Sequence, residues 1–167
     1  MNKVKAKKHL GQHFLTDLEI AKRIVTSLSN VDGNTVIEVG PGTGVLTQYL
    51  LEKDFKLILS EVDLESIAYL VNNFPIKQEQ FIGDFLQFNI ADFPDKKINI
   101  IGNFPYNISS QIYFKILDYK DNVDECVGML QKEVAERLAS KEGNKTYGIL
   151  SVLLQLYYDV EYLFTVG

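Results

Sequence analysis

The stretch Thr35 to Val39 is β-branched and apolar and runs straight into Gly40-Pro41-Gly42-Thr43-Gly44. That junction limits the possible folds more than any other feature of the chain. A run of this composition reads as a buried strand. The glycines let the backbone turn sharply and leave no Cβ between the main chain and a ligand. A helix is expected from Val45 to about Lys53, and the pattern then repeats. Strands are expected at Lys56–Val62, at Gln80–Gly83, at Ile98–Ile101 with its end at Asn103, and at Val123–Leu130. Between them Asp63 can cap a helix through Val71, Ser109 can cap one to Leu117, and Lys132–Ser140 is helical. Upstream, Thr16-Asp17-Leu18-Glu19 has the form of a capping box opening a helix to about Ser29. Downstream, Ser140 to Lys145 reads as a flexible loop, Thr146 to about Tyr158 as a helix, and Val160 to Val166 as a final strand.

Strands alternating with helices imply an α/β, Rossmann-like fold, a mostly parallel sheet covered on both faces. Such sheets bind ligands beyond the carboxyl ends of their strands, where strand order reverses. With 167 residues, 46% of them hydrophobic, the chain has enough apolar material for one core. It has no apolar run of the ~20 residues that a membrane span needs, and no secretory signal. The single cysteine, Cys126, sits in an apolar run and fits a reducing, cytoplasmic setting. The net charge of -5 argues against nucleic-acid binding, but Lys3, Lys5, Lys7 and Lys8 concentrate positive charge at the N-terminus. That arm is either a solvated tail or a phosphate contact.

Chemistry-bearing residues fall at successive strand ends. The glycine spacing is G-x-G-x-G, tighter than the G-x-G-x-x-G of dinucleotide binders, and suits a ligand without a pyrophosphate. Glu61 can accept from ribose hydroxyls. Asp84, after Gly83, can accept from the exocyclic amine of an adenine. Each feature alone also fits a glycine-rich turn, a solvated acid or a turn cap. Together, in chain order, they describe an adenosine site. Asn103-Phe104-Pro105-Tyr106 then offers a side-chain carbonyl, a backbone carbonyl aimed by the fixed φ of proline, and an aromatic face. Two acceptors and a stacking surface suit the N6 amine of adenine, a weak nucleophile whose lone pair is delocalised into the ring. Nothing in the pattern calls for a metal.

At this point the chain resembles the ribosomal RNA adenine dimethyltransferases of the small-subunit (16S) type. Lys8-His9-Leu10-Gly11-Gln12-His13-Phe14-Leu15 resembles the family's N-terminal signature. Glu38 to Gly44, Glu61-Val62-Asp63, Gly83-Asp84 and Asn103 to Tyr106 follow in the family's order. Gln131-Lys132-Glu133-Val134-Ala135-Glu136-Arg137 and Tyr147-Gly148-Ile149-Leu150-Ser151 also match. The resemblance implies a class I S-adenosylmethionine-dependent methyltransferase. It implies cofactor contacts at His13, Leu15, Gly40, Glu61, Asp84 and Asn103, with Gln12, Gly42, Gly44 and Phe85 beside them. Residues 1–15 would form the basic arm and a lid over the cofactor, and residues 16–167 the methyltransferase domain. The implied substrate is a pair of adjacent adenosines in a hairpin loop near the 3′ end of small-subunit ribosomal RNA, within the pre-30S particle. The full-length relatives are expected to be monomers.

Two departures stand out. Phe104 occupies a position more often aliphatic, which matters little if only its carbonyl is used. The family's last antiparallel strand and helical RNA-binding domain are also expected but not found. The final strand would then lack a neighbour, favouring cofactor binding over turnover and association through that strand. Two alternatives remain: a large-subunit (23S) adenine-N6 methyltransferase of the macrolide-resistance type, which shares these motifs, and a non-catalytic RNA-binding relative that keeps the fold, against which the intact Asn103, Pro105 and Tyr106 argue. The glycine spacing disfavours a nicotinamide dehydrogenase.

Overall fold

The computed structural model of the chain describes residues 17–29, 34–93, 97–141 and 148–166. Four parallel strands form one sheet: β1 (Thr35–Val39), β2 (Lys56–Ser60), β3 (Ile98–Asn103) and β4 (Val123–Met129), in the order β2-β1-β3-β4. Helices α1 (Leu18–Thr26), α2 (Thr47–Leu50), α3 (Leu64–Asn73), α4 (Ser109–Asp118), α5 (Lys132–Leu138) and α6 (Ile149–Tyr157) connect and cover them. The path runs from β1 out to β2 and then back across β1 to β3, so strand order reverses between β1 and β3. That is where a sheet of this kind opens a crevice for a ligand.

Side-chain alternation along the strands fills two core layers. Ile37 and Val39 join Ile58 and Ile100 on one face, under Ile112 and Ile116 of α4. Val36 joins Leu57, Leu59 and Ile101 on the other, against Ile24 of α1 and Leu70 of α3. Every residue of β1 is buried, as a central strand requires. Each fully buried Ile or Leu contributes about 1.5–3 kcal/mol. At the amino ends of the strands a polar chain ties the layers together. Asn34 donates to Asn99 at 3.1 Å, Asn99 donates to Glu125 at 3.1 Å, and the Ser29 backbone N–H donates to Glu125 at 2.9 Å. The register shifts here, with Ile98 opposite Val123 but Asn99 opposite Glu125, so Asp124 is the extra residue of a bulge.

The structure corrects several readings of local sequence. The cap of α1 is Asp17, which accepts from the Glu19 and Ile20 N–H groups; Thr16 lies outside the described residues. The regular part of the helix after the glycine loop is only Thr47–Leu50. Ser109 is the first residue of α4 rather than its cap, and its hydroxyl donates to the Tyr106 carbonyl at 3.3 Å. The expected strand at Gln80–Gly83 reduces to one parallel bridge, Leu59 to Phe81. The Gln80 side chain donates to the Leu57 carbonyl at 3.0 Å, taking the acceptor that a longer strand would pair with its backbone. The expected strand at Val160–Val166 is not formed. Phe164 packs instead under the Arg23 guanidinium, 3.8 Å from its ring centre, and Tyr158 donates to the Val123 carbonyl at 2.9 Å. A cleft of about 1060 Å³ lies between β4 and this last segment. Residues 142–145 of the expected loop at Ser140–Lys145 lie outside the described residues. No described helix is long and apolar enough to cross a membrane.

Candidate active site

Strand register builds the site. Val39 lies opposite Ser60 on one side and Gly102 on the other, and Asn103 lies opposite Met129. The residues just past this line, Gly40 and Glu61, therefore form a row with Asn103 across the carboxyl edge of the sheet. Neighbouring strands are about 4.8 Å apart, so Glu61 and Asn103 stand roughly 10 Å apart, the span of a nucleoside. The row extends beyond β2, where Ser60 Oγ donates to the Gly83 carbonyl at 2.7 Å and holds Gly83-Asp84 beside Glu61.

The glycine loop begins with Gly40 at φ +70°, a conformation that other residues rarely adopt. A Cβ there would lie 3.5 Å from the Asn103 carbonyl oxygen and 3.7 Å from Pro105 Cδ. The loop after β1 and the Asn-Phe-Pro-Tyr segment after β3 thus face each other across the switch point. Gly44 has a different reason to be glycine: a Cβ would sit 2.5 Å from the Phe74 ring of α3. Its missing side chain, at φ +87°, lets α3 pack close against the loop.

The buried Glu61 carboxylate accepts three backbone N–H groups, from Gly42 at 3.2 Å, Val62 at 3.0 Å and Asp63 at 3.1 Å. Burial raises its pKa, and these hydrogen bonds hold part of that rise back. A carboxylate offers about four acceptor positions. Three are in use, which leaves room for about one strong ribose hydrogen bond rather than two. Behind it, burial pushes Glu38 up to about 8 although Thr47 Oγ1 donates to it at 2.5 Å; the nearby Glu61 charge adds to the rise. Glu38 therefore carries a proton near neutral pH, which spares the site a second buried charge. Asp84 uses one carboxylate oxygen to accept the Leu86 N–H at 3.0 Å, the turn-capping role, and the other oxygen is not part of that turn.

Phe104 is a core residue. It is 3% exposed and packs edge-on to Tyr113, with ring centres 5.9 Å apart at 76°. Gly128 makes this possible, because a Cβ there would lie 2.3 Å from the Phe104 ring. The Phe104 N–H donates to the Met129 carbonyl at 3.2 Å. Its ring therefore anchors the loop to β4, and only its backbone carbonyl is left for a ligand. The Ile108 N–H donates to the Pro105 carbonyl at 3.2 Å, closing a turn that leaves Tyr106 41% exposed. The Phe85 ring, expected among the cofactor contacts, is 1% exposed in the core. Any ligand contact from Phe85 is made by its main chain.

Gln12, His13, Leu15, Lys3, Lys5, Lys7 and Lys8 lie outside the described residues. The cleft along β4 contains none of Glu61, Asp84, Asn103 or Tyr106, so it is separate from this row. Two neighbours escaped the sequence reading. Val62 is 53% exposed directly beside Glu61, an apolar side chain left open at a strand end. Lys115 of α4 donates from Nζ to the carbonyls of Phe85 and Phe88. The signal for Lys115 was a cation on a helix stripe otherwise made of Ile112 and Ile116.

The model of the family described as ribosomal RNA adenine dimethylase matches residues 3–167. The chain belongs to that family. Proteins named ribosomal RNA small subunit methyltransferase A are similar throughout. The one from Parabacteroides distasonis is 58% identical over 168 residues, covering 100% of this chain and 63% of that protein. The one from Cytophaga hutchinsonii is 58% identical over 169 residues, covering 99% of this chain and 66% of that protein. The chain thus spans a little under two thirds of these relatives. A dimethyladenosine transferase from Plasmodium falciparum superposes with a TM-score of 0.70 at 27% identity, over 86% of this chain and 52% of that one. A 23S rRNA methyltransferase superposes with a TM-score of 0.68 at 23% identity, over 86% of this chain and 57% of that one, and shares the fold. The architecture is that of a class I methyltransferase.

Proposed function

We propose that this adenine dimethylase family member forms the catalytic domain of an S-adenosylmethionine-dependent enzyme. In this reading it methylates N6 of two adjacent adenosines in a hairpin loop near the 3′ end of small-subunit ribosomal RNA. The observation that carries the reading is the row Asp84, Glu61, Gly40, Asn103 at the switch point, with Gly40 facing Asn103 and Pro105. The names of the relatives favour the small subunit as target. The pre-30S particle would be the working substrate, in the cytoplasm and with a monomeric enzyme.

The residues suit the cofactor. Asp84 accepts from the adenine amine, Val62 lies against the purine, Glu61 takes a ribose hydroxyl, and the Gly40–Gly42 backbone adjoins the amino-acid end. When bound, S-adenosylmethionine supplies a methyl group already activated on a positively charged sulfur. The remaining work is orientation. The Asn103 side-chain carbonyl and the Phe104 backbone carbonyl accept the two N6 hydrogens of the target adenine, which favours a pyramidal nitrogen with its lone pair exposed. Tyr106 stacks on the flipped base. The methylated ammonium is acidic and loses its proton to water, so no strong base is required. Lys3, Lys5, Lys7 and Lys8 add phosphate contacts that salt weakens.

The test is methyl transfer from isotopically labelled cofactor to small-subunit particles lacking the modification, with naked 23S rRNA as the competing substrate. Label recovered as N6-methylated adenosine from the small-subunit RNA, and abolished by Asn103→Ala, is the expected result. Label confined to 23S rRNA would redirect the substrate, and no label in either, from the chain extended to the full length of its relatives, would overturn the reading.

A further inference from the structure

Lys115 is out of place on α4. The helix presents Ser109, Ile112 and Ile116 to the core, and Lys115 lies on that same side of the helix. No carboxylate receives its ammonium at hydrogen-bonding distance among the described residues. Nζ donates instead to two main-chain carbonyls, those of Phe85 and Phe88, and lies 5.2 Å from the centre of the Phe85 ring. These carbonyls belong to the tight turn that starts at Asp84. Within it the Gln87 N–H donates to the Asp84 carbonyl at 3.1 Å, and the Leu86 N–H donates to the Asp84 side chain at 3.0 Å. The buried Phe85 ring and the Lys115 ammonium, which lies over it, thus both hold this turn against the core. Burial lowers the pKa of the Lys115 ammonium, and the negative charge of Asp84 offsets part of that fall.

α4 is also the helix that leaves the reaction loop. It begins three residues after Tyr106, and Ser109 ties its first turn to the Tyr106 carbonyl. The adenine-contacting acid and the target-base loop are thus joined through one side chain.

We propose that Lys115 is a positioning residue for cofactor recognition: it fixes the Asp84 turn against α4, so that the carboxylate is held ready for the exocyclic amine of the cofactor's adenine. Without the Lys115 donors the Phe85 and Phe88 carbonyls lose their partner, Asp84 samples other orientations, and the cost of ordering it counts against binding. The inference rests on Asp84 being the adenine acid, as set out above.

The experiment measures affinity by calorimetry on the 167-residue chain, using S-adenosylhomocysteine and its analogue with purine in place of adenine, which lacks the exocyclic amine. Lys115→Met keeps the stem length and removes the donors; Lys115→Arg keeps donors for two carbonyls. Lys115→Met is expected to weaken S-adenosylhomocysteine roughly tenfold, within the coupling range of interacting neighbours. It should scarcely change affinity for the amine-free analogue. Lys115→Arg should recover most of the loss, and Lys115→Met added to Asp84→Ala should cost nothing further. A general structural role would weaken both ligands alike, and that result would overturn the inference, as would unchanged affinity for both. Equal weakening together with a lowered melting temperature would mark Lys115 as a fold staple only and also overturn it. If the unmodified chain binds both ligands equally well, or if the Asp84→Ala protein still prefers S-adenosylhomocysteine over the amine-free analogue by the same factor, the adenine assignment of Asp84 itself is wrong. Discrimination retained by the unmodified chain but unaltered by Lys115→Met is a failure of this inference alone.

Discussion

Replacing Glu61 by alanine is expected to weaken cofactor binding roughly 10- to 150-fold. The carboxylate is buried and already accepts the N–H groups of Gly42, Val62 and Asp63. About one further acceptor position is available to a ribose hydroxyl. A hydrogen bond to a charged acceptor contributes ~1.5–3 kcal/mol, and each ~1.4 kcal/mol is a tenfold change in affinity. Glu61→Gln is not a gentle change here. In either orientation its NH₂ group meets an N–H that now donates to the carboxylate, at Gly42 or at Val62 and Asp63. Glutamine should therefore lose at least as much affinity as alanine. The assay is calorimetric titration with S-adenosylhomocysteine, with thermal unfolding run in parallel to check that the variants remain folded. Unchanged affinity in a folded Glu61→Ala protein would refute the ribose assignment.

Other outcomes follow from the same geometry. Glu38 ionises near 8 when folded and near 4.5 when unfolded. The folded state holds the extra proton between those values, so stability falls as pH rises across that window. Glu38→Gln should gain stability relative to the natural chain as pH rises from about 5 to about 9, by a few kcal/mol at most; a pH-independent difference in urea unfolding would contradict this. Gly128→Ala should cost about 1–3 kcal/mol by overpacking Phe104 and should slow methylation by shifting the loop that follows; full activity with unchanged stability would count against the anchor. Tyr106→Ala should lose ~1–3 kcal/mol of base stacking while Tyr106→Phe keeps most activity. Equal losses in the two would assign the work to the hydroxyl.

The parts of the fold that were legible in the sequence rest on local signals. The β-branched run into Gly40 marks β1, Asp63 caps α3, and the strand ends bearing Glu61 and Asn103 sit where the pattern puts them. Elements that depend on a neighbour were misread. Residues Val160–Val166 have strand composition, but strand preference needs a paired partner to act, and Phe164 finds its packing under Arg23 instead. Gln80 looked like a strand opening because nothing local shows that its side chain would take the Leu57 carbonyl. At the candidate site, the sequence places residues at strand ends but not the orientations of their side chains. Phe85 and Phe104 stand beside candidate site residues in sequence, yet both rings point into the core, because a parallel sheet is apolar on both faces and alternation does not say which way a loop aromatic turns. The sequence shows Lys115 only as a cation on an apolar helix stripe; its partners are main-chain carbonyls, which no residue type marks.

Co-crystallisation with S-adenosylhomocysteine locates the cofactor directly. The purine is expected beside Val62 with its amine at Asp84, the ribose at Glu61, and the sulfur end near Gly40 and Asn103. Ligand density in the cleft along β4, or an adenine lying away from Asp84 with Glu61 still bonded only to its three backbone N–H groups, would contradict the adenosine site.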